Sequence, residues 1–210
     1  MKIRALVLAV TLMVATGLAA LAQAPKPASP AGTAAAQVLG KYVKGARGES
    51  YQEGKWIEVT YGRPILRARQ NIFGAGADYG KAVNGGVPVW RAGANQTTRL
   101  KTEVPLIFDG KQLPAGEYSL FVELNEKAWT LIFSGWPAQE KYDPNNKAAL
   151  WGAYGYTPDK DVLRVTMTLS SLQFSVDQFT IAFIDMTAVG GRLAMMWDKT
   201  MASVPFAAVR

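Results

Sequence analysis

Between Val89 and Thr98 the chain reads VWRAGANQTT, which places Trp90, Arg91 and Asn95 within six residues of one another among small residues. An arginine carries its donors in a rigid planar fork, suited to a carboxylate, a phosphate or several carbonyls. A turn at Gly93 would let that fork face a pocket. It would equally let Arg91 pin loop carbonyls while Asn95 caps the turn, because buried polar groups must find partners. The reading adopted is that Arg91 braces the loop joining two strands. If the region serves a ligand, the residues facing it are expected to be Arg91, Asn95, Trp90, Trp151 and Tyr154. Asn95-Gln96-Thr97 also matches a glycosylation sequon, which is given no weight.

The remaining groups with chemical capacity are acids and rings. Glu58, Glu117, Glu123, Asp159 and Asp161 could supply a glycosidase pair, which needs two carboxyls at a set separation across a cleft. A solvated strand face accounts for each of them singly. Trp90, Trp129, Trp136, Trp151, Tyr154 and Tyr156 could stack on sugar faces, yet large aromatics also dominate sandwich cores, and Trp129 and Trp197 are read as core. The chain has no histidine and no cysteine. That excludes Ser-His-Asp and Cys-His nucleophile pairs and the usual zinc and copper sites. Carboxylate, Lys or Tyr chemistry, oxygen-ligated Ca²⁺ or Mg²⁺, or no catalysis remain. No catalytic residue, cofactor or metal site is assigned; Asp159-Lys160-Asp161 reads as a turn rather than a Ca²⁺ loop.

The elements that must position these groups are short and β-patterned. In Lys55 to Gly62, Trp56, Glu58 and Thr60 alternate with Ile57, Val59 and Tyr61, as in a half-buried strand. Arg63-Pro64 ends it, and Arg63, Arg67 and Arg69 suggest an exposed basic edge. Asn71 to Val87 is glycine-rich and irregular. A short strand is expected over Val87 to Arg91. Thr97 to Phe108 puts Thr98, Leu100, Thr102, Val104, Leu106 and Phe108 on one face. Asp109-Gly110 signals a hairpin, Leu113 to Gly116 a second tight turn, and Asn125 to Lys127 a third. Glu117 to Leu124 and Ala128 to Phe133 are strands. Ser134 to Ala149 is a long loop, Trp151 to Tyr156 an aromatic strand, and Gly190-Gly191 a turn. Leu163, Val165, Met167 and Leu169, then Phe179, Ile181 and Phe183, alternate inward, and Leu193 to Trp197 with Met201 to Phe206 closes the fold. This is an all-β pattern, expected as an antiparallel two-sheet sandwich, with a jelly-roll-like topology as one form of it.

Residues 1–22 have a basic start, an uncharged apolar run and a small-x-small ending at Ala22, which reads as a secretory signal peptide cleaved there, with no membrane span left afterwards. The Pro/Ala-rich stretch 23–37 reads as a linker, and 38–210 as a single domain. The net charge is +7, of which the leader holds Lys2 and Arg4. In an exported protein this modest surplus favours solubility over a nucleic-acid partner.

Tyr61-Gly62-Arg63-Pro64, Ile72-Phe73-Gly74, Trp90-Arg91-Ala92-Gly93-Ala94-Asn95 with Thr97-Thr98, Leu113 to Leu120, Trp129-Thr130, Trp151-Gly152-Ala153-Tyr154 and Trp197 together form a pattern. It resembles the exported bacterial family known as domain of unknown function 2911, over about Trp56 to Pro205. The segments 74–88 and 134–149 are longer than that family's pattern. The resemblance implies export and one compact domain, and carries no activity. The function expected is a non-catalytic ligand-binding or envelope-associated domain in the periplasm or outside the cell, taking a glycan or a small anionic ligand. The other reading is a carboxylate- or Tyr-dependent hydrolase or lyase with Arg91 binding the substrate's anion.

Overall fold

A computed structural model describes residues 27–210. The expected signal peptide and its cleavage site lie outside the described residues. Eleven strands make up most of the described chain: β1 Ala31–Val38, β2 Lys41–Gly45, β3 Gly48–Gln52, β4 Lys55–Gly62, β5 Thr98–Thr102, β6 Leu106–Phe108, β7 Lys111–Leu113, β8 Gly116–Glu123, β9 Trp129–Ser134, β10 Asp161–Thr187 and β11 Gly190–Ala208. The α-helix is a four-residue turn, Lys81–Asn84.

Nine strands form one hydrogen-bonded run in the order β1-β4-β5-β8-β9-β10-β11-β6-β7, and β2-β3 is a separate hairpin. The mostly β, antiparallel expectation holds, with one continuous run in place of two separately bonded sheets. The 27-residue β10 makes this possible. Its first part, Asp161 to Met167, pairs with β9, and Thr168 onward pairs with β11. Register shifts after Ser171 and Val176 bend it between the two, as bulges do.

The inward alternation is as the sequence requires: Thr98, Leu100, Thr102, Val104, Leu106 and Phe108 are all buried. Asp109 and Gly110 both take left-handed φ, 49° and 71°, in the two-residue turn that joins β6 to β7. Four expectations are corrected. Ala31 to Gln37 is not linker: its backbone pairs along the whole length of β4, from Ala31 opposite Gly62 to Val38 opposite Lys55. Trp151 to Tyr156 is a series of turns rather than a strand, with Gly152 and Gly155 at φ 64° and 81°. Val87 to Arg91 contributes a single antiparallel bridge, Trp90 to Val122. The Ala188-Val189 pair makes the turn before Gly190, which already lies in β11.

The main core gathers side chains from both arms of the run, including Val59, Leu100, Leu131, Phe133, Val165, Phe179, Leu193 and Phe206. Its centre is aromatic. Trp90 stacks on Trp197 (6.2 Å, 9° between planes) and meets Phe179 at 4.9 Å and Phe73 at 5.8 Å. Phe73 packs on Trp129 at 4.8 Å. The glycine-rich segment before Trp90 thus supplies Ile72, Phe73 and Tyr79 to the core. Each such burial removes about 1.5–3 kcal/mol worth of apolar surface from water.

One hydrogen-bonded tyrosine joins the arms. The Tyr61 hydroxyl donates to Ile181 O at 3.3 Å and accepts from Ile181 N at 2.9 Å, all in the core. Beside it Arg63 donates to Phe179 O and Thr180 Oγ1, so this arginine fastens β10 and is not a free basic edge. Tyr61→Phe orphans both backbone groups of Ile181 while keeping the ring. It is expected to lower unfolding stability by about 1–3 kcal/mol, read as a shifted urea midpoint at unchanged slope.

Candidate functional site

The loop 135–160 lies across the outer face of β8 and β9. Phe121 and Ile132 point away from the main core, and both are buried beneath Val89, Leu150, Ala153 and Tyr156, with Trp136 and Val87 at the rim. These six buried residues form a second, smaller core. On its outer side the loop leaves a cleft of about 670 Å³ between Tyr142, Trp151 and Tyr154, with Gln139, Asp143, Asn146 and Lys147 in its walls. The rings of Tyr142 and Trp151 lie 5.8 Å apart. Tyr142 and Tyr154 are 59% and 53% exposed, which no core-packing need explains.

Gln139 shapes this cleft. It is only 8% exposed. Its amide nitrogen donates to Asp143 O, Asn146 O and Ala149 O, and its amide oxygen accepts from Asp143 N. Asp143 Oδ1 and Asn146 Oδ1 accept from the backbone two residues on, at Asn145 N and Ala148 N, the local bonding that Asx turns use. Lys147 Nζ donates to Pro144 O at 2.7 Å. An irregular segment is thereby held without a strand or helix.

The VWRAGANQTT stretch sits behind the cleft and holds it. Trp90 is 1% exposed and belongs to the core; it is removed from the ligand-facing set, because no part of its ring meets solvent. Its indole N–H donates to Gly93 O. Arg91 is half-buried, donates from Nη1 to Asn95 O at 2.9 Å, and lies with Cζ 5.2 Å from the centre of the Tyr154 ring, a cation–π contact. Asn95 takes φ 62°, a conformation asparagine tolerates, and its side chain donates to Ser29 O. Thr97 Oγ1 contacts both Leu150 O at 2.9 Å and Gly152 O at 2.8 Å. Gln96 donates to Glu140 O. Of the five expected residues, Trp151 and Tyr154 line the cleft, while Arg91 and Asn95 fix the backbone beneath it. Tyr142 and Gln139 are additions. The only sequence signal for them is Tyr142 followed by Asp143-Pro144-Asn145-Asn146, a turn-forming run.

The carboxylates gather elsewhere. Tyr156 donates to Asp161 Oδ2 at 2.7 Å, Arg164 donates to the same oxygen at 2.8 Å, and Arg164 Nη2 pairs with Glu123. Asp161 Oδ1 is buried without a hydrogen-bond partner. Burial first, and then the Asp161 carboxylate, push the Tyr156 phenol well above the ordinary tyrosine range. A phenol held protonated this firmly is a structural donor, not a base at neutral pH. Lys160 Nζ lies 3.5 Å from the centre of the Trp136 ring, whose N–H donates to Thr157 O. Among the described residues Arg91 forms no ion pair, and no group of three His, Cys, Asp or Glu comes together to hold a metal. Among them, too, no helix is long and apolar enough to cross a membrane.

A family model described as protein of unknown function (DUF2911) matches residues 46–206, and the chain belongs to that family. No curated protein and no solved structure matches the chain.

Gly152 tests the bracing role of Arg91. Its φ of 64° is left-handed, and a Cβ there would collide with the Arg91 guanidinium. Gly152→Ala is expected to cost roughly 1–3 kcal/mol, seen as a lower melting temperature. Adding Arg91→Ala relieves the collision, so the double variant should lose less than the two single losses added. Additive losses would mean that Arg91 and Gly152 do not bear on each other.

Proposed function

We propose that this family member is an exported, non-catalytic binding protein whose ligand occupies the cleft between Tyr142, Trp151 and Tyr154. The observation that carries this reading is that three aromatic side chains converge on one open hollow, and that a buried glutamine and the side-chain-bonded turns at Asp143 and Asn146 hold the hollow in shape. Ligand sites are concave, preformed and lined by rings with a few placed polar groups. Planar rings at spaced angles suit the faces of sugar residues, while Asp143, Asn146 and Lys147 offer acceptors and donors to hydroxyls. Export is inferred from the leader pattern in residues 1–22. We further read the continuous sheet as folding over itself at the β10 bend in the manner of a sandwich, since both arms contribute to one core.

The hydrolase reading fares less well. It requires a carboxylate facing Arg91, and the Arg91 fork is instead spent on Asn95 O and the Tyr154 ring. Of the candidate acids, Glu123 and Asp161 are paired with Arg164 and Glu117 with Arg99.

Titration with chitohexaose, cellohexaose and hexagalacturonate, followed by calorimetry and indole fluorescence, tests the proposal. At least one probe should bind, and Trp151→Ala and Tyr142→Ala should each weaken it about tenfold, the equivalent of one lost ring contact. Arg91→Ala should act less, through the cleft's shape. Equal affinity in all three variants and the parent protein would remove the cleft as the site.

A further inference from the structure

The outer face of β4, β5 and β8 carries a second concavity, separate from the cleft. A hollow of about 360 Å³ lies between Trp56, Glu58 and Lys101. A second of about 160 Å³ lies between Glu58, Lys101, Arg99 and Glu117. A third of about 300 Å³ lies between Arg99, Glu117 and Trp136. The first two share Glu58 and Lys101, and the last two share Arg99 and Glu117, so the three make one trough. It runs across the strands, which neighbour each other at about 4.8 Å, and its length therefore suits a chain of several units rather than a single small molecule.

Its two ends differ. Trp56 is 49% exposed at one end, with the small Ala35 beside it. Its backbone is fixed by Glu103, whose carboxylate accepts from Trp56 N at 2.8 Å. The other end is a wall, Trp136 with Pro137 and Ala138, standing where the loop 135–160 begins to cover the sheet; Ser119 Oγ donates to Trp136 O and holds it there. The floor alternates in sign. Glu58 faces Lys101, and Lys101 faces Glu117, across the ladder, and Arg99 pairs with Glu117 at 3.5 Å.

The chemistry of the occupant follows from this. An extended peptide binds a sheet through main-chain bonds at an edge, whereas the three strands under this trough are interior ones, each paired on both sides in the order β1-β4-β5-β8-β9. A nucleic acid or other polyanion needs a basic surplus, and Glu58, Glu103 and Glu117 outnumber Arg99 and Lys101. A lipid chain needs an apolar floor. A chain of hydroxyl groups, each able to donate and accept, matches a floor of alternating carboxylates and cations, and a sugar ring matches the open face of Trp56. We propose that the trough is a binding site for a neutral oligosaccharide, with Trp56 as its stacking platform and the Glu58-Lys101-Glu117-Arg99 lattice as its hydrogen-bonding floor.

The test uses the full ¹⁵N-labelled protein with cellohexaose, chitohexaose and mannohexaose as neutral probes and hexagalacturonate as the charged one, following the indole N–H signals of Trp56, Trp136 and Trp151. A neutral probe should move the Trp56 indole and the amides of β4 and β5. Trp56→Ala should weaken that binding about tenfold, while Trp151→Ala leaves it unchanged. Thr60→Trp, which fills the middle hollow from the solvent side, should block it and keeps the test open if Trp56→Ala melts early. The proposal is overturned if millimolar neutral probes leave Trp56 unmoved, if hexagalacturonate binds there more tightly than they do, or if a dilution series shows the face covered by a second copy of the chain. Shifts confined to Trp151 would sink the trough and leave the cleft standing; shifts confined to Trp56 would do the reverse.

Discussion

Burial of the Trp90 ring is the constraint on which the rest of the molecule turns. The ring lies between Trp197, Phe179 and Phe73 in the centre of the core. Its backbone exchanges two 2.8 Å hydrogen bonds with Val122 of β8. A residue held from both ends in this way fixes the direction of whatever follows it. Arg91 must then emerge outward, the chain must turn back at once, and Ala94 must come against Gly62, whose carbonyl accepts from Ala94 N and where any Cβ would strike Ala94. The polar groups of the next few residues, from Arg91 to Thr97, are committed to loop carbonyls because the turn leaves those carbonyls half out of water. The chemistry that the residue types suggest is thereby redirected into architecture.

That redirection creates the cleft. Loops usually run over water, but the segment 135–160 runs over Phe121 and Ile132 and seals them. To lie flat there it needs fixed points: Thr97 and Gln96 bond its carbonyls from the neighbouring stretch, Arg91 lies against its Tyr154 ring, and Gln139 holds it from within. Its inner side is apolar, and its rings that find no room inside, Tyr142 and Tyr154, stand outside. The same cover ends abruptly at Trp136, and the uncovered part of the sheet face becomes the trough. One loop therefore bounds both concavities.

Much of the strand pattern is legible in the sequence because period-two alternation reports one-sided burial. Thr98 to Phe108 and Leu163 to Met167 behave accordingly. What alternation misreads is instructive. Leu120-Phe121-Val122 and Leu131-Ile132-Phe133 are unbroken apolar runs, the mark of strands covered on both faces, and that mark is the available clue that something lies over β8 and β9. Ala31 to Gln37 resembles a linker because alanines bury little; β1 exists through backbone pairing with β4, which composition does not record. Trp151 to Tyr156 has the aromatics of a strand, but Gly152 and Gly155 turn the chain at left-handed φ and no ladder runs through the segment. In the cleft, Trp151 and Tyr154 are visible as aromatics beside glycines, whereas Gln139 is invisible, since a single glutamine binding carbonyls within ten residues has no periodicity or motif.

The bend in β10 has a consequence in time. Tyr61 bonds to Ile181, 120 residues along the chain, and Phe179, Trp197 and Leu193 reach the aromatic centre only from the last quarter of the sequence. Contacts so distant in sequence form slowly, because loop closure must be met before they are made. A chain emerging from its N-terminus first holds β4, β5, β8 and β9 with their inner faces bare until β10 and β11 arrive to close them. The two arms of the sheet are thus joined by contacts that only β10 and β11 supply, and those contacts are far apart in sequence.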